Sequence, residues 1–138
     1  MTVKQLDHLN MSVRDVEESA AWYGRVFGFE VVEKETDAQG RPWGVLRAGD
    51  ALLCVYEKPE LEFEDSDQRQ GRGVHGVNHF GLRIADREEW EATMRREGIV
   101  PGYGGPVRWP HSTAWYVQDP TGYEIEVALW DDGEIRFG

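Results

Sequence analysis

The sequence predicts an α+β protein made of two paired βαβββ modules, which form a cupped mixed sheet with helices on its outer face. Three observations predict this fold. The chain repeats itself after 71 residues, each copy opens with an alternating strand that leads into a helix, and strand patterns follow each helix. A module of this size buries too little apolar surface to be stable alone, so the two copies are expected to pair.

The first strand of each copy shows the repeat best. Residues 7–15 (DHLNMSVRD) align with residues 78–86 (NHFGLRIAD). Apolar residues alternate with others in both segments, as in a strand with one buried face. His8 and His79 fall on the less apolar face of their strands, away from the side that would pack on a helix.

Each first strand leads into a helix. Asp15 and Asp86 are suitable N-cap residues, and Gly28 and Gly98 end the two helical patterns. Strand patterns then return in both copies. In the first copy they cover residues 30–36, 43–47 and 51–57, and in the second copy residues 100–109, 114–118 and 123–130.

A polar stretch separates the copies. Residues 59–73 (PELEFEDSDQRQGRG) lack apolar periodicity, which predicts a linker. The modules are therefore expected at residues 1–58 and 74–138, within one compact domain.

Composition excludes several classes of function. The 26 acidic residues outnumber the 15 basic ones, and a net charge of −11 argues against nucleic-acid or anionic-membrane partners. The sequence shows no signal peptide or membrane-spanning run, so a cytoplasmic location is expected. Cys54 is the only cysteine, which excludes an internal disulfide and a zinc site made of several thiolates.

Strand parity also indicates a metal site. In the last strand Glu126 faces away from the apolar residues on either side of it, so it is expected beside His8 and His79. Two imidazoles and one carboxylate with open positions suit a divalent metal, with Fe(II) favoured and Mn(II), Zn(II), Ni(II) or Co(II) as alternatives. Tyr116, on the neighbouring strand, is expected to face the same cavity.

The chain resembles the vicinal oxygen chelate superfamily, which includes glyoxalase I, extradiol dioxygenases, fosfomycin-modifying transferases and bleomycin-resistance proteins. The resemblance rests on residues 7–9 (DHL), 19–23 (SAAWY), 27–29 (FGF), 78–81 (NHFG) and 116–126 (YVQDPTGYEIE). It implies that Glu126 is a metal ligand and that a small substrate chelates the metal through neighbouring oxygens. It also implies a homodimer.

Departures from the family patterns help to order the possible reactions. Extradiol dioxygenases have a Tyr ten residues before the glutamate ligand, as Tyr116 stands to Glu126, so the resemblance favours a dioxygenase acting on a catechol-like substrate. Those enzymes usually carry a further histidine where this chain has Val107, and His111 lies nearby. A glyoxalase-like lyase or isomerase is the alternative. Those enzymes have a glutamate as a fourth metal ligand, and this chain has Cys54 near the position expected for it.

Fosfomycin transferases share the three ligands and the tyrosine, but they have a threonine where this chain has Asn10. A metal-free antibiotic- or metabolite-binding protein of the bleomycin-resistance type is the alternative from another class. Its aromatic groove would be lined by tryptophans, here Trp43, Trp109, Trp115 and Trp130. The intact set of three ligands favours an enzyme.

The resemblance and the strand faces also suggest roles at the site. Tyr116 is expected to donate a hydrogen bond to a bound substrate oxygen. The further candidates for substrate contact are Asn10, Arg83, Trp109 and His111.

Overall fold

A computed structural model describes all residues 1–138, which form two compact units, Met1–Phe63 and Glu64–Gly138. Each unit contains one four-stranded mixed sheet. The expected α+β class and the two βαβββ modules are therefore confirmed. None of the helices is long and apolar enough to span a membrane.

The first unit consists of β1 (Leu9–Val13), α1 (Val16–Phe27), β2 (Glu30–Thr36), β3 (Pro42–Ala48) and β4 (Ala51–Glu57). The second unit consists of α2 (Ser66–Gly71), β5 (Phe80–Ile84), α3 (Arg87–Glu97), β6 (Val107–Trp109), β7 (Ser112–Gln118) and β8 (Glu124–Trp130). The strand orders are β1-β4-β3-β2 and β5-β8-β7-β6. Only the β1–β4 and β5–β8 pairs are parallel, so the two sheets have the same topology.

The predicted caps begin and end both long helices. The Asp15 carboxylate accepts a hydrogen bond from the Glu18 backbone N–H at 2.8 Å, and Asp86 accepts one from Glu89 at 3.0 Å. Each cap satisfies an N–H that has no partner within the helix. Gly28 ends α1 with φ of 72°, a left-handed conformation that favours glycine, and Gly98 ends α3 in the same way.

The core of each unit lies between its helix and one face of its sheet. Tyr23 of α1 is fully buried, as are Val13 and Val55 of the first sheet. In the second unit Trp90 of α3 and Val127 of β8 are also buried. The opposite sheet faces carry the histidines or their strand neighbours, so the helices leave those faces available for a site.

One predicted strand is much shorter than expected. Residues 100–109 were expected to be extended, but only Val107–Trp109 forms β6. Tyr103, Gly104 and Gly105 have φ of 55°, 77° and 121°, and such positive values cannot continue a strand. The glycines therefore form a loop before β6.

The expected linker contains a short helix. Ser66–Gly71 forms α2, whose N-cap Asp65 exchanges hydrogen bonds with Gln68 in a capping box. Capping residues at this spacing stabilise a helical turn without any apolar periodicity, which explains why periodicity did not reveal it. Ser66 is buried and its hydroxyl donates to Glu124 of β8, so α2 packs against the sheet of its own unit.

Candidate metal centre

Two of the expected ligands are in contact in the second unit. β5 runs parallel to β8 with Gly81 opposite Glu126, and His79 immediately precedes β5. The Nε2 atom of His79 lies 2.9 Å from Oε2 of Glu126. The side chains are 33% and 17% exposed, so small molecules or ions could reach them.

Glu124 faces the other side of the same imidazole. Its Oε1 lies 3.3 Å from Nδ1 of His79, and its Oε2 accepts a hydrogen bond from the Ser66 hydroxyl at 3.3 Å. Glu124 is buried, with only 8% of its surface exposed. Strand parity puts Glu124 on the same face of β8 as Glu126, but parity alone assigns it no role. The Glu-Ile-Glu spacing was the one available signal.

Tyr116 lies directly opposite Glu126 in the β7–β8 ladder. Its hydroxyl accepts a hydrogen bond from Nε1 of Trp109 at 3.2 Å, and its ring meets the His79 ring edge-on at 5.5 Å. Partial burial has the largest effect on the pKa of Tyr116 and raises it. The hydrogen bond from Trp109 lowers the pKa, whereas the charge of Glu126 and a hydrogen bond to Glu126 raise it. The phenol therefore keeps its proton at neutral pH and remains a hydrogen-bond donor.

A second tyrosine completes this aromatic cluster. The Tyr103 ring packs edge-on against Tyr116 with 5.0 Å between ring centroids. The negative charge of Glu124 raises the pKa of Tyr103, and a hydrogen bond to Glu124 adds to the effect. Tyr103 comes from the loop that was expected to be a strand, so sequence patterns gave no sign of it.

His8 lies in the first unit, one residue before β1. Its Nδ1 is 2.7 Å from Oδ2 of Asp7, and its side chain is about half exposed. Because Asp7 occupies the Nδ1 side, Nε2 is the nitrogen that could serve as a ligand. Asn10 and Cys54 face each other in the β1–β4 register.

The thiol of Cys54 is harder to ionise than a free thiol. Burial raises its pKa, and the negative charges of Asp7 and Glu33 raise it further. A thiol must lose its proton to bind metal strongly, so this environment works against coordination.

Two other candidates make hydrogen bonds of different kinds, Arg83 through its side chain and His111 through its backbone. Arg83 donates to the Gly133 carbonyl at 3.1 Å, and the His111 carbonyl accepts from the Asp131 N–H at 3.0 Å. Of the tryptophans expected in an aromatic groove, Trp115 is a core residue, only 1% exposed. Trp43 stacks on Tyr56 in the first unit with 5.8 Å between ring centroids.

No group of three or more His, Cys, Asp or Glu side chains is assembled in the structure so that it could hold a metal ion. His79 and Glu126 supply one imidazole and one carboxylate, which are donors that Fe(II), Mn(II) and Zn(II) accept. The donor chemistry therefore fits a divalent metal, and a third ligand is required to complete the set.

The fold and these donors define a class of protein that sequence comparison identifies. The family model of the Glyoxalase/Bleomycin resistance protein/Dioxygenase superfamily matches residues 5–127. The chain therefore belongs to this superfamily, also known as the vicinal oxygen chelate superfamily, as the sequence motifs suggested.

Particular relatives share parts of its sequence or its fold. Catechol-2,3-dioxygenase of Bacillus subtilis (strain 168) is 30% identical over 125 residues, which are 88% of this chain. The chain spans 40% of the length of that relative.

A glyoxylase/bleomycin resistance protein/dioxygenase domain from Frankia sp. EAN1pec superimposes with a TM-score of 0.76 at 14% identity, over 96% of both chains. A mutant of the fosfomycin resistance protein FosX from Listeria monocytogenes superimposes with a TM-score of 0.69 at 14% identity, over 94% of both chains. That FosX mutant was crystallised with Mn(II) and 1S,2S-dihydroxypropylphosphonic acid. At these identities the structural likeness shows the fold alone.

Proposed function

We propose that the protein is a divalent-metal-dependent enzyme of the vicinal oxygen chelate type, acting on a small substrate that binds through two neighbouring oxygens. A dioxygenase reaction on a catechol-like substrate is the preferred form. The observation that carries the proposal is the 2.9 Å contact between His79 and Glu126 on the open face of the second sheet. The 30% identity to a catechol-2,3-dioxygenase supports the choice of reaction.

The proposed ligands are His8, His79 and Glu126, and Fe(II) is the preferred metal. The repeat supports His8, because it precedes β1 as His79 precedes β5, and its Nε2 side is available. Such a metal, when bound, acts as a Lewis acid and, in the case of iron, enables chemistry with dioxygen.

The residues around the His79–Glu126 pair supply an oriented hydrogen-bond donor for the substrate. Trp109 holds the hydroxyl oxygen of Tyr116 beside Glu126. Because its pKa is raised, Tyr116 enters the reaction protonated and donates a hydrogen bond to a substrate oxygen as negative charge develops there. The rings of Tyr103 and Tyr116, which pack edge to face, offer apolar surface for an aromatic substrate.

Asn10, Arg83 and His111 are further candidates for substrate contact. Arg83 is the cation among them and would bind an anionic substrate group after it releases the Gly133 carbonyl. We place the protein in the cytoplasm, with small molecules as its ligands.

Metal content of protein purified without oxygen tests the proposal. The wild type is compared with His8→Ala and Glu126→Gln, and with His111→Ala as a control that removes a histidine outside the ligand set. Near-stoichiometric iron or manganese that both ligand variants lose and the control keeps would support the site. Oxygen uptake with a panel of catechols would then test the reaction. Absence of metal in the wild type, even after reconstitution, would overturn the proposal.

One observation favours a second candidate, a metal-free binding protein of the resistance type. Three aromatic residues, Tyr103, Trp109 and Tyr116, cluster beside the His79–Glu126 pair. Such a cluster could hold an aromatic ligand by stacking alone. A wild type that takes up no metal but quenches its tryptophan fluorescence with an aromatic ligand would favour this candidate.

A further inference from the structure

We propose that Glu124 is a positioning residue that fixes the imidazole of His79 with Nε2 toward the metal, and that Ser66 of α2 holds Glu124 in place. This inference rests on the proposed metal function. It assigns a role to the segment between the two repeats, which carries none of the three proposed ligands.

The geometry gives the first argument. A histidine that binds metal through Nε2 must carry its proton on Nδ1, and the group that accepts this proton fixes the ring. In the second unit Glu126 lies at Nε2, 2.9 Å away, and Glu124 lies at Nδ1, 3.3 Å away. Glu124 therefore occupies the position from which the Nδ1–H is held while Nε2 is left for the metal.

The repeat gives an independent argument. The Nδ1 of His8 also faces a carboxylate, that of Asp7 at 2.7 Å. The residue that corresponds to Asp7 in the second copy is Asn78, which has no negative charge. Glu124 supplies from β8 the carboxylate that the second copy lacks at that position. Both histidines thus present the same nitrogen to a carboxylate, although different parts of the chain provide it.

The surroundings of Glu124 explain how it keeps its orientation. It is 8% exposed, and a buried carboxylate requires partners to offset the loss of water. The Ser66 hydroxyl donates to one of its oxygens, and Tyr103 also hydrogen-bonds to it.

Ser66 is held in turn by the packing of its helix. The N-cap Asp65 lies against Gly122, where an added Cβ would come within 3.2 Å of the Asp65 Cα. Only glycine permits this approach, because Gly122 also has φ of 107°. α2 is therefore fixed to the turn that leads into β8.

Zn(II) affinity, measured by competition with a chromophoric chelator, tests the inference without any turnover. The variants are Glu124→Ala, which removes the acceptor, and Glu124→Gln, which keeps an oxygen acceptor at the same place. We expect Glu124→Ala to weaken Zn(II) binding about tenfold, the effect of losing a partner of a ligating histidine. Glu124→Gln should restore most of the affinity. Glu57→Gln is the matched control. Glu57 lies in the first unit, where its carboxylate accepts a hydrogen bond from the Val16 backbone N–H.

The state of the His79 ring provides a second readout that loss of stability would not imitate. In the Zn(II)-loaded wild type, ¹⁵N-edited spectra should show a slowly exchanging proton on Nδ1 of His79. That signal should disappear in Glu124→Ala and return in Glu124→Gln. If Glu124→Ala does not fold, Ser66→Ala takes its place, with a smaller loss of affinity and faster exchange of the same proton.

The outcomes separate this inference from the proposed function. A wild type that binds no Zn(II), Fe(II) or Mn(II) would overturn the proposed function and this inference together. This inference alone would be overturned if folded Glu124→Ala had the same Zn(II) affinity and the same Nδ1 signal as the wild type. Where Ser66→Ala replaces that variant, the same result in Ser66→Ala would overturn it.

Discussion

Cys54 occupies in the first unit the register position that Glu126 occupies in the second. Cys54 pairs with Asn10 in the β1–β4 ladder, and Glu126 pairs with Gly81 in the β5–β8 ladder. Asn10 and Gly81 each follow the proposed histidine ligand of their copy by two residues. The two copies therefore differ at the position where the second carries its carboxylate.

The first prediction concerns the ionisation of the Cys54 thiol. Burial and the charges of Asp7 and Glu33 disfavour the thiolate, so the pKa of Cys54 is raised. The pH midpoint of iodoacetamide alkylation should therefore lie higher in the folded metal-free protein than in the urea-unfolded protein. Asp7→Asn removes one of the negative charges and should lower the folded midpoint.

Asp132→Asn, which removes a carboxylate from the second unit, is the control and should leave the midpoint unchanged. Cys54→Ala should keep the metal content of the wild type, because Cys54 is not one of the proposed ligands. A folded midpoint at or below that of the unfolded protein would contradict this account of the site.

The second prediction concerns the turn that leads into β8. One oxygen of Asp119 accepts hydrogen bonds from three backbone N–H groups, those of Thr121, Gly122 and Tyr123, at 2.9, 2.8 and 2.9 Å. Asp119 is buried, so Asp119→Ala removes this acceptor where water cannot replace it fully. We expect the free energy of unfolding to fall by about 3 kcal/mol.

Urea unfolding measures this change, and Asp119→Asn serves as the matched variant. The amide oxygen of asparagine keeps one acceptor at the same place, so its loss should be about half as large. A loss below about 1 kcal/mol in Asp119→Ala would show that the turn does not depend on this carboxylate.

Local signals explain why much of the fold could be predicted from the sequence. Helix caps act within one turn of chain, and Asp15, Gly28, Asp86 and Gly98 all cap the helices as expected. Strand alternation is also local, and it placed β2 and β4 at their observed bounds. The repeat then supplied the topology, because both copies carry the same order of elements.

The parts that could not be predicted depend on contacts between distant residues. Ser66 and Glu124 are 58 residues apart, and no periodicity connects them. Tyr103 reaches Glu124 only because the glycines beside it turn the chain out of the expected strand. Parity could place Glu124 and Glu126 on one face of β8, but it could not show that both carboxylates enclose a single imidazole.

The third prediction concerns Tyr116 as the hydrogen-bond donor. Tyr116→Phe removes the hydroxyl and keeps the ring that packs against His79 and Tyr103. If the protein turns over a catechol, kcat should fall about 100-fold, the usual size of a lost proton donor. The iron content should not change, because the phenol is not one of the proposed ligands. Tyr56→Phe, in the first unit, is the control and should retain wild-type kcat.

The pH profile provides a stricter test of the same role. Burial is the main cause of the raised pKa of Tyr116, and the hydrogen bond from Trp109 partly opposes it. The Tyr116 hydroxyl therefore loses its proton only above the pH at which a phenol ordinarily ionises. Below that pH, ionisation of Tyr116 should cause no loss of activity. Trp109→Phe removes the opposing hydrogen bond, so the alkaline limb should move to still higher pH. An alkaline limb that Tyr116→Phe leaves unchanged, together with wild-type kcat, would show that another group donates the proton.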